Sequence, residues 1–258
     1  LFMGAAMHGQ DKPAASTAET IEQYRALIKE TMEKSKLVGV GAALVFGDGQ
    51  VWKEGFGFAD KEQKIPYTSQ TTQPIGSVTK PITVLGIMQL QERGQLHIDR
   101  PLLDYLPQFS VKTRGEDLRQ ITLRSLIGHT SGLANDIFLN ATLEGEKYTG
   151  IVGYLKDEVL AFPPGTIYHY SNVGYSLLGH AILAVSKQDY PVYMQKNVLQ
   201  SAGMIHSGFL GHDPLQQVSV GYDGEGMPFQ SNKIRTMPAA ALYSNLDDMV
   251  SLARELIA

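Results

Sequence analysis

Ser77 and Lys80, a serine and a lysine three residues apart, are the side chains whose types and spacing best suit chemistry in this chain. They stand at the start of a predicted helix, where this spacing places two side chains on one face, one turn apart. A serine hydroxyl is a poor nucleophile until a neighbouring base takes its proton. A lysine can be that base only where burial or nearby positive charge lowers its pKa. The pair therefore predicts a nucleophilic serine that is activated by a lysine.

The start of the helix supports the same chemistry. Its free N–H groups can hold a developing oxyanion, and its positive end disfavours a protonated lysine. Pro81 fits the first turn, because an N–H group there has no intrahelical partner to lose. A Ser-x-x-Lys match also arises by chance, however, and the alternative is a serine N-cap followed by a solvated lysine on a surface helix.

A second polar group, Tyr170-Ser171-Asn172, is predicted on a loop between two helices. A tyrosine beside a lysine can act as a proton shuttle, because the positive neighbour favours the phenolate. The Asn172 amide offers a donor and an acceptor to a substrate or to the lysine. The same three residue types recur at Tyr243-Ser244-Asn245, which we interpret only as a helix cap.

Composition narrows the class of protein. The 258 residues suffice for one large domain or two modest ones, and 43% hydrophobic and 19% charged residues are ordinary for a globular protein. A net charge of -4 argues against a nucleic-acid partner, and no apolar run reaches the length of a membrane span. The absence of cysteine excludes disulfides, thiolate metal sites and a cysteine nucleophile.

The first residues predict export. The stretch from Leu1 to Met7 is similar to the end of a signal-peptide apolar segment with small residues near a cleavage point. Residues 1–16 are therefore interpreted as a flexible tail or signal-peptide remnant, and the location as periplasmic or extracellular. The alternative is an expression scar or a disordered terminus.

Hydrophobic periodicity and turn signals predict the elements that position these side chains. A capping box at Ser16 begins a helix to Ser35, whose residues Ile21, Tyr24, Ile28 and Met32 face a sheet. A hairpin of strands 38–46 and 51–58 turns at Asp48-Gly49. Further helices are predicted over 77–94, from Thr122, and over 151–161, 173–185, 191–200 and 244–258, with short strands at most in 203–230.

In this order the motifs resemble the class C β-lactamase and penicillin-binding serine hydrolase family. The resemblance covers nearly all of residues 20–258. It is carried by Gly76-Ser77-Val78-Thr79-Lys80, Ile121-Thr122-Leu123-Arg124, His129-Thr130-Ser131-Gly132-Leu133, Pro164-Gly165, Tyr170-Ser171-Asn172 with Gly174 to Gly179, and Leu242 to Asn245 with Asp247-Asp248-Met249.

The resemblance implies an α/β (α+β) fold of the β-lactamase/transpeptidase-like class, with an antiparallel sheet flanked by helices and an inserted helical domain. Residues 17–76 and 231–258 would form parts of the α/β domain and residues 77–230 the mainly helical domain, with the active site at their junction.

The resemblance also implies roles for four residues. Ser77 would be the nucleophile, Lys80 its proton acceptor, Tyr170 the shuttle to the leaving group and Asn172 a substrate contact. The Ser77 N–H group would form half of an oxyanion hole. The Tyr-Ser-Asn sequence of this motif is more similar to that of D,D-peptidases and esterases than to that of dedicated β-lactamases, which usually have Tyr-Ala-Asn.

One departure concerns the third motif of this family, a Lys or His followed by Thr or Ser and then Gly. In the family this motif lies on a strand after the last helix and supplies the second oxyanion N–H group. The chain stops at Ala258, before such a strand. The resemblance therefore leads us to expect a fragment of a longer protein, without the C-terminal strands.

Other sites are less well supported. No Gly-x-Ser-x-Gly elbow is present, which argues against the α/β-hydrolase fold. No histidines are paired at metal-binding spacing, so we expect neither a metal nor another cofactor. His129 and His169 flank the proposed site and are interpreted as hydrogen-bonded structural residues. Asn140-Ala141-Thr142 matches a glycosylation sequon but is interpreted as a plain loop.

The sequence thus predicts a serine hydrolase that forms an acyl-enzyme with an amide or ester, including β-lactams. Its partner would be a small-molecule or peptide substrate. The alternative from another class is a non-catalytic penicillin- or peptidoglycan-binding module that keeps the fold without turnover. The natural substrate and the oligomeric state are not indicated by any residue pattern.

Overall fold

The computed structural model describes residues 16–137, 147–229 and 236–257. Its helices are α1 (Thr17–Ser35), α2 (Thr79–Glu92), α3 (Leu123–Ile127), α4 (Ile151–Leu155), α5 (Asn172–Ser186), α6 (Tyr190–Met194), α7 (Met237–Ala240) and α8 (Leu246–Ile257). Its strands are β1 (Gly39–Val45), β2 (Val51–Asp60), β3 (Ile65–Pro66), β4 (Gln73–Pro74), β5 (Gly208–Phe209), β6 (Gly221–Tyr222), β7 (Pro228–Phe229) and β8 (Leu242–Ser244). The sequon at Asn140 and residues 1–15 lie outside the described residues.

The first helix and the hairpin confirm the sequence prediction. At the start of α1 the Glu19 N–H donates to Ser16 Oγ at 3.2 Å, and the Ser16 N–H donates to Glu19 Oε2 at 2.8 Å. This reciprocal pair is the predicted capping box. β1 and β2 pair antiparallel, and the turn between them needs Gly49 because its φ is +84°.

The hairpin carries a helix on each face. Arg25 of α1 donates to Glu54 of β2 at 2.7 Å, whereas Lys53 pairs with Asp247 of α8 at 2.6 Å. Because consecutive strand residues point to opposite faces, these two contacts place α1 and α8 on opposite sides of the sheet. β3 adds a short third strand beside β2, and the apolar hairpin thereby gains both the cover and the extra strand that a two-stranded ribbon lacks.

The prediction is wrong for one of the four α1 residues that were expected to face the sheet. Tyr24 is exposed, with 44% of its surface accessible. The inward position belongs to Arg25, whose guanidinium carbon lies 5.7 Å from the centre of the Trp52 ring. A cation over an aromatic ring, together with the ion pair to Glu54, outweighs the apolar side chain beside it.

The core lies in the helical body between residues 82 and 252. α5 is its centre, with nine buried residues along fifteen. Gly86 of α2 lets the helices approach closely: a Cβ there would lie 2.9 Å from Met194 Sδ and 3.3 Å from Ile182 Cδ1. This close packing fixes α2, which follows Ser77, against α5 and α6.

One predicted helix is shorter than expected, and another changes its type along its length. The helix predicted over 151–161 ends at Leu155, because Glu158 and Leu160 exchange backbone hydrogen bonds with Lys112 at 2.9 and 2.8 Å. That extended pairing takes the backbone groups that a longer helix would need. The helix predicted over 191–200 is α6 followed by a π-helical turn over 195–199, and the Gln200 N–H bonds to the Gln195 carbonyl at 3.1 Å.

A small antiparallel sheet with the order β4–β8–β5 joins distant parts of the chain. β4 precedes Ser77, and β8 precedes α8, so the sheet anchors the segment that leads into the Ser77 turn. β5 comes from the predicted helical domain and pairs with β8, and the predicted boundaries at 76/77 and 230/231 stay a prediction. Within the part of the chain that the structure describes, no helix is both long and apolar enough to cross a bilayer.

Candidate active site

Ser77 lies in a 3₁₀ turn, Gly76–Val78, directly before α2. The predicted helix start is therefore two residues early, because α2 begins at Thr79. The turn needs Gly76, whose φ of +52° is in the left-handed region. Thr79 Oγ1 donates to the Gly76 carbonyl at 2.7 Å and accepts from the Leu242 N–H at 3.2 Å, so β8 holds the turn in place.

The structure brings the four predicted site residues together. Tyr170 donates its hydroxyl to Ser77 Oγ at 2.8 Å, and Lys80 Nζ lies 3.1 Å from the same oxygen. Asn172 Oδ1 lies 2.7 Å from Lys80 Nζ. Lys80 is only 4% exposed, which contradicts the alternative of a solvated lysine on a surface helix.

The amine of Lys80 has three hydrogen-bond partners within 3.1 Å among the described residues. Two of them, Asn172 Oδ1 at 2.7 Å and the Ala239 carbonyl at 3.0 Å, can only accept hydrogen bonds. They therefore take two N–H groups, and the third position of Lys80 Nζ faces Ser77 Oγ. In the ammonium form that position carries a proton, and in the neutral amine it carries the lone pair that can accept the serine proton.

Burial lowers the pKa of Lys80 below its ordinary value. The hydrogen bond and charge of Tyr170 and the charge of Asp136 oppose this shift, but burial is the larger effect. The direction is the one that a lysine base requires.

His129 packs against the Tyr170 ring. Its ring centre is 4.5 Å from that of Tyr170, and its Nδ1 accepts the Ser171 N–H at 3.0 Å. Burial and the charge of Lys80 hold the pKa of His129 below its usual range. His129 is thus a neutral, hydrogen-bonded ring, and its backbone carbonyl accepts the His169 N–H at 2.7 Å. Both histidines have the hydrogen bonds that their predicted structural role requires.

Backbone hydrogen bonds from residues 130–132 hold the loop 161–165 next to His129. Gly132 has a φ of +77°, and a Cβ on it would lie 1.9 Å from the Phe162 carbonyl oxygen. The Gly132 carbonyl accepts the Ala161 N–H at 2.8 Å, and the Thr130 carbonyl accepts the Gly165 N–H at 2.7 Å. Only glycine fits this conformation and this close approach.

The nearby serines Ser131 and Ser171 are structural. Ser131 is 1% exposed, and its Oγ accepts the Leu133 N–H at 3.4 Å. Ser171 is fully buried and is the N-cap of α5, where its Oγ accepts the Gly174 N–H at 3.0 Å. Asn172 is therefore the first residue of α5 and not a loop residue as predicted.

Sequence reasoning missed two groups that contact the site. Asp136 accepts hydrogen bonds from Asn172 Nδ2. The sequence feature that could have indicated Asp136 is its position just after the His129 to Leu133 stretch. Ala239 contributes only a backbone carbonyl, which no side-chain pattern reveals. The second Tyr-Ser-Asn triplet is a helix cap as predicted, because Asn245 Oδ1 accepts the Asp248 N–H at 2.9 Å.

The backbone at Ser77 can also bind an anion. The N–H groups of Gly76 and Ser77 are the first of a 3₁₀ turn, so the turn itself gives them no carbonyl partner. Such N–H groups are the donors that an oxyanion hole uses. Among residues 16–137, 147–229 and 236–257, no three His, Asp or Glu side chains form a cluster that could hold a metal ion.

Comparison with known proteins identifies relatives along most of the chain. The putative penicillin-binding protein PbpX of Bacillus subtilis is 29% identical in an alignment that covers 96% of this chain and 68% of the relative. Protein flp of Staphylococcus aureus is 27% identical over 90% of this chain and 48% of the relative. The chain thus spans about half the length of the Staphylococcus relatives that it matches.

Solved structures share the fold. The octameric penicillin-binding protein homologue from Pyrococcus abyssi has a TM-score of 0.77 and 27% identity over 91% of this chain and 55% of that chain. A class C beta lactamase has a TM-score of 0.80 and 24% identity over 94% and 66%. The D-alanine carboxypeptidase AmpC from Burkholderia cenocepacia has a TM-score of 0.78 and 24% identity over 93% and 64%.

These structures confirm the predicted β-lactamase/transpeptidase-like fold class. The family profile described as Beta-lactamase matches residues 24–257, which include all four predicted site residues. Ser77, Lys80, Tyr170 and Asn172 also meet in one hydrogen-bonded group. The chain belongs to the beta-lactamase family.

Proposed function

We propose that this protein is a serine hydrolase that forms an acyl-enzyme with amide or ester substrates. The observation that carries the proposal is the position of Ser77 Oγ, 3.1 Å from Lys80 Nζ and 2.8 Å from the Tyr170 hydroxyl. A nucleophile within hydrogen-bond reach of a base with a lowered pKa is the arrangement that covalent catalysis needs.

The proposed acylation begins with neutral Lys80, whose lone pair faces Ser77. Lys80 takes the serine proton while Ser77 Oγ bonds to the substrate carbonyl carbon, and the carbonyl oxygen becomes an oxyanion beside the Ser77 N–H group. The proton then passes through Tyr170 to the leaving nitrogen or oxygen as its bond to carbon breaks. Water later hydrolyses the ester on Ser77 and restores the free serine.

Asn172 is proposed to orient Lys80 in this cycle and to contact the substrate. Its oxygen already accepts from Lys80 Nζ at 2.7 Å, which aims the third position of the amine at Ser77. This observation favours the lysine as its partner, one of the two that the sequence left open. A contact with substrate stays a prediction.

The proposed substrate class contains β-lactams, peptides of the D-Ala-D-Ala type and carboxylic esters. Relatives named as penicillin-binding protein and D-alanine carboxypeptidase support this class. The Tyr170-Ser171-Asn172 motif favours the peptidase and esterase members of the family. Export to the periplasm or the cell exterior, predicted from Leu1 to Met7, belongs to the same proposal.

Intact-mass spectrometry tests the function. The protein is incubated with a fluorescent penicillin and with p-nitrophenyl acetate, and its mass is followed over time. We expect one adduct, on the peptide that contains Ser77, and its loss in Ser77→Ala. Ser201→Ala is the matched control, because the Ser201 hydroxyl has no part in the site. It donates to the Asn197 carbonyl at a distance of 2.6 Å.

The time course separates the enzyme from the binding module. Release of the acyl group and return to the unmodified mass indicate turnover, whereas a permanent adduct indicates the non-catalytic penicillin-binding alternative. An adduct on Ser131 or Ser171, or none on any serine, would contradict the proposed nucleophile.

A further inference from the structure

We propose that Asp136 is a positioning residue that fixes the Asn172 amide with its oxygen toward Lys80. The proposal rests on the serine-hydrolase function proposed above. Asn172 Nδ2 lies 3.1 and 3.0 Å from the two carboxylate oxygens of Asp136, and Asn172 Oδ1 lies 2.7 Å from Lys80 Nζ. A third acceptor, Asn135 Oδ1, lies 3.4 Å from the same Nδ2.

The orientation of this amide determines where the lysine lone pair points. A carboxylate only accepts hydrogen bonds and the amide nitrogen only donates, so Asp136 excludes the reversed amide. In the reversed amide, the Nδ2 hydrogens would face Lys80 and attract the lone pair of its neutral form. Ser77 would then lose its proton acceptor. Asp136 thus acts on the serine through Asn172 and Lys80.

Backbone contacts hold Asp136 at the start of α5. The Asn135 carbonyl accepts the N–H groups of Asn172 and Val173 at 2.9 and 3.2 Å. The Ala134 carbonyl accepts from Ser171 Oγ at 2.7 Å. The segment 134–136 is therefore fastened to the first turn of a helix of fifteen residues, whose positive end favours a carboxylate there.

Asp136 also sets the electrostatics of the lysine. The titratable groups that face Lys80 are Tyr170 and Tyr175, whose ring centres lie 4.7 and 5.5 Å from Nζ, together with His129 and Asp136. The negative charge of Asp136 raises the pKa of Lys80 and so partly offsets its burial. Removing that charge lowers the pKa, and Lys80 becomes neutral at a lower pH.

The test compares two variants that remove the charge, Asp136→Asn and Asp136→Ser, with a control. Asp157→Asn is the matched control, because it makes the same charge change at a carboxylate with 72% exposure. The titration of Lys80 is followed by NMR on protein labelled with ¹³Cε-lysine, and its signal is assigned by its loss in Lys80→Arg. The acylation rate at Ser77 is measured against pH in the same proteins.

Both Asp136 variants should acylate about ten- to a hundredfold more slowly at the plateau, as expected for a misplaced catalytic group. The titration midpoint of Lys80, and the acid limb of the acylation rate, should move to lower pH, because the charge of Asp136 raises the pKa of Lys80. Asp157→Asn should change neither. A purely structural role would lower the rate without moving the midpoint.

Three outcomes would overturn the proposal: unchanged kinetics and titration in folded variants, slower acylation with an unmoved midpoint, and failure of both variants to fold. The NMR measurement does not depend on turnover. If the midpoint of Lys80 shifts as expected but Ser77 is never acylated, the proposed function fails, whereas the effect of Asp136 on Lys80 is retained. If Ser77 is acylated and the midpoint is unmoved, the proposed function stands and the role proposed for Asp136 fails.

Discussion

Replacing Lys80 by arginine tests whether this lysine gives up a proton. Arginine keeps the positive charge, but its guanidinium does not deprotonate in proteins. If Lys80 only provided charge, Lys80→Arg would keep most of the activity. If Lys80 is the base, the variant has no lone pair for the Ser77 proton. We therefore expect the acylation rate to fall by the hundred- to ten-thousandfold typical of a lost general base.

The expected fall in the acylation rate corresponds to a loss of about 3 to 5 kcal/mol of transition-state stabilisation, at ~1.36 kcal/mol for each factor of ten. It exceeds the effect of one hydrogen bond, because Lys80 Nζ is, among the described residues, the only hydrogen-bond partner of Ser77 Oγ that can supply a nitrogen lone pair. Arginine is also larger than lysine, however, and it would replace a buried side chain, because Lys80 is 4% exposed. A control for size is needed.

The absence of cysteine in the chain provides that control. Lys80→Cys would be alkylated in the unfolded protein with 2-bromoethylamine, which creates an amine of lysine length, and then refolded. The same variant alkylated with iodoacetamide carries a neutral amide instead. We expect the amine to restore acylation and the amide to leave it as slow as in Lys80→Arg.

The pH profile adds a second criterion. The sulfur atom of the new side chain withdraws electrons, so the acid limb should move to lower pH with the amine. Normal turnover by Lys80→Arg, or equal rates for the amine and amide forms, would refute a lysine base.

Three further predictions concern the tyrosine, the glycine turn and the histidine. Tyr170→Phe should lower acylation by about a hundred- to ten-thousandfold in stopped-flow assays, whereas Tyr222→Phe, whose hydroxyl only accepts the Lys61 N–H, should not. Gly132→Ala should lower the unfolding free energy by more than about 2 kcal/mol in urea titrations, because its Cβ would meet a backbone carbonyl at 1.9 Å. Gly153→Ala, with nothing within 4 Å, should be neutral or stabilising, and equal losses in the two variants would contradict the argument. The pKa of His129 lies below its ordinary value of 6.5 in the folded protein, so the unfolding free energy should decrease as the pH is lowered below about 6.5. His129→Asn should make that decrease smaller in urea titrations between about pH 5 and 7. An unchanged slope would show that His129 is not held neutral.

The sequence predicted those features that depend on local pattern. The capping box at Ser16, the Asp48-Gly49 turn and the Thr122 cap all follow from side chains that bond within three residues. The Ser77 and Lys80 pair needed only a shared helical face. These elements are specified by neighbours along the chain, and for that reason they could be predicted.

The features that the sequence did not predict depend on distant contacts. Helix α4 ends early because Lys112 pairs with residues 158–160, and Tyr24 is displaced by an ion pair from Arg25 to Glu54. Asp136 acquires its role only when α5 brings Asn172 to it, 36 residues along the chain. Neither periodicity nor a spacing rule contains this information, because tertiary contacts override local preference.

The burial of Lys80 shows why the site needs the whole helical body. Its three partners come from the turn before α2, from α5 at a separation of 92 residues, and from α7 at a separation of 159 residues. On an isolated α2 the lysine would be solvated and keep its ordinary pKa, and the serine would have no base. Packing of α5 and α7 on α2 removes water from the amine and provides two acceptors in its place. The lowered pKa is therefore a property of the tertiary structure, and any change that separates α7 from α2 should reduce the reactivity of Ser77 without altering a residue of the Ser-x-x-Lys motif.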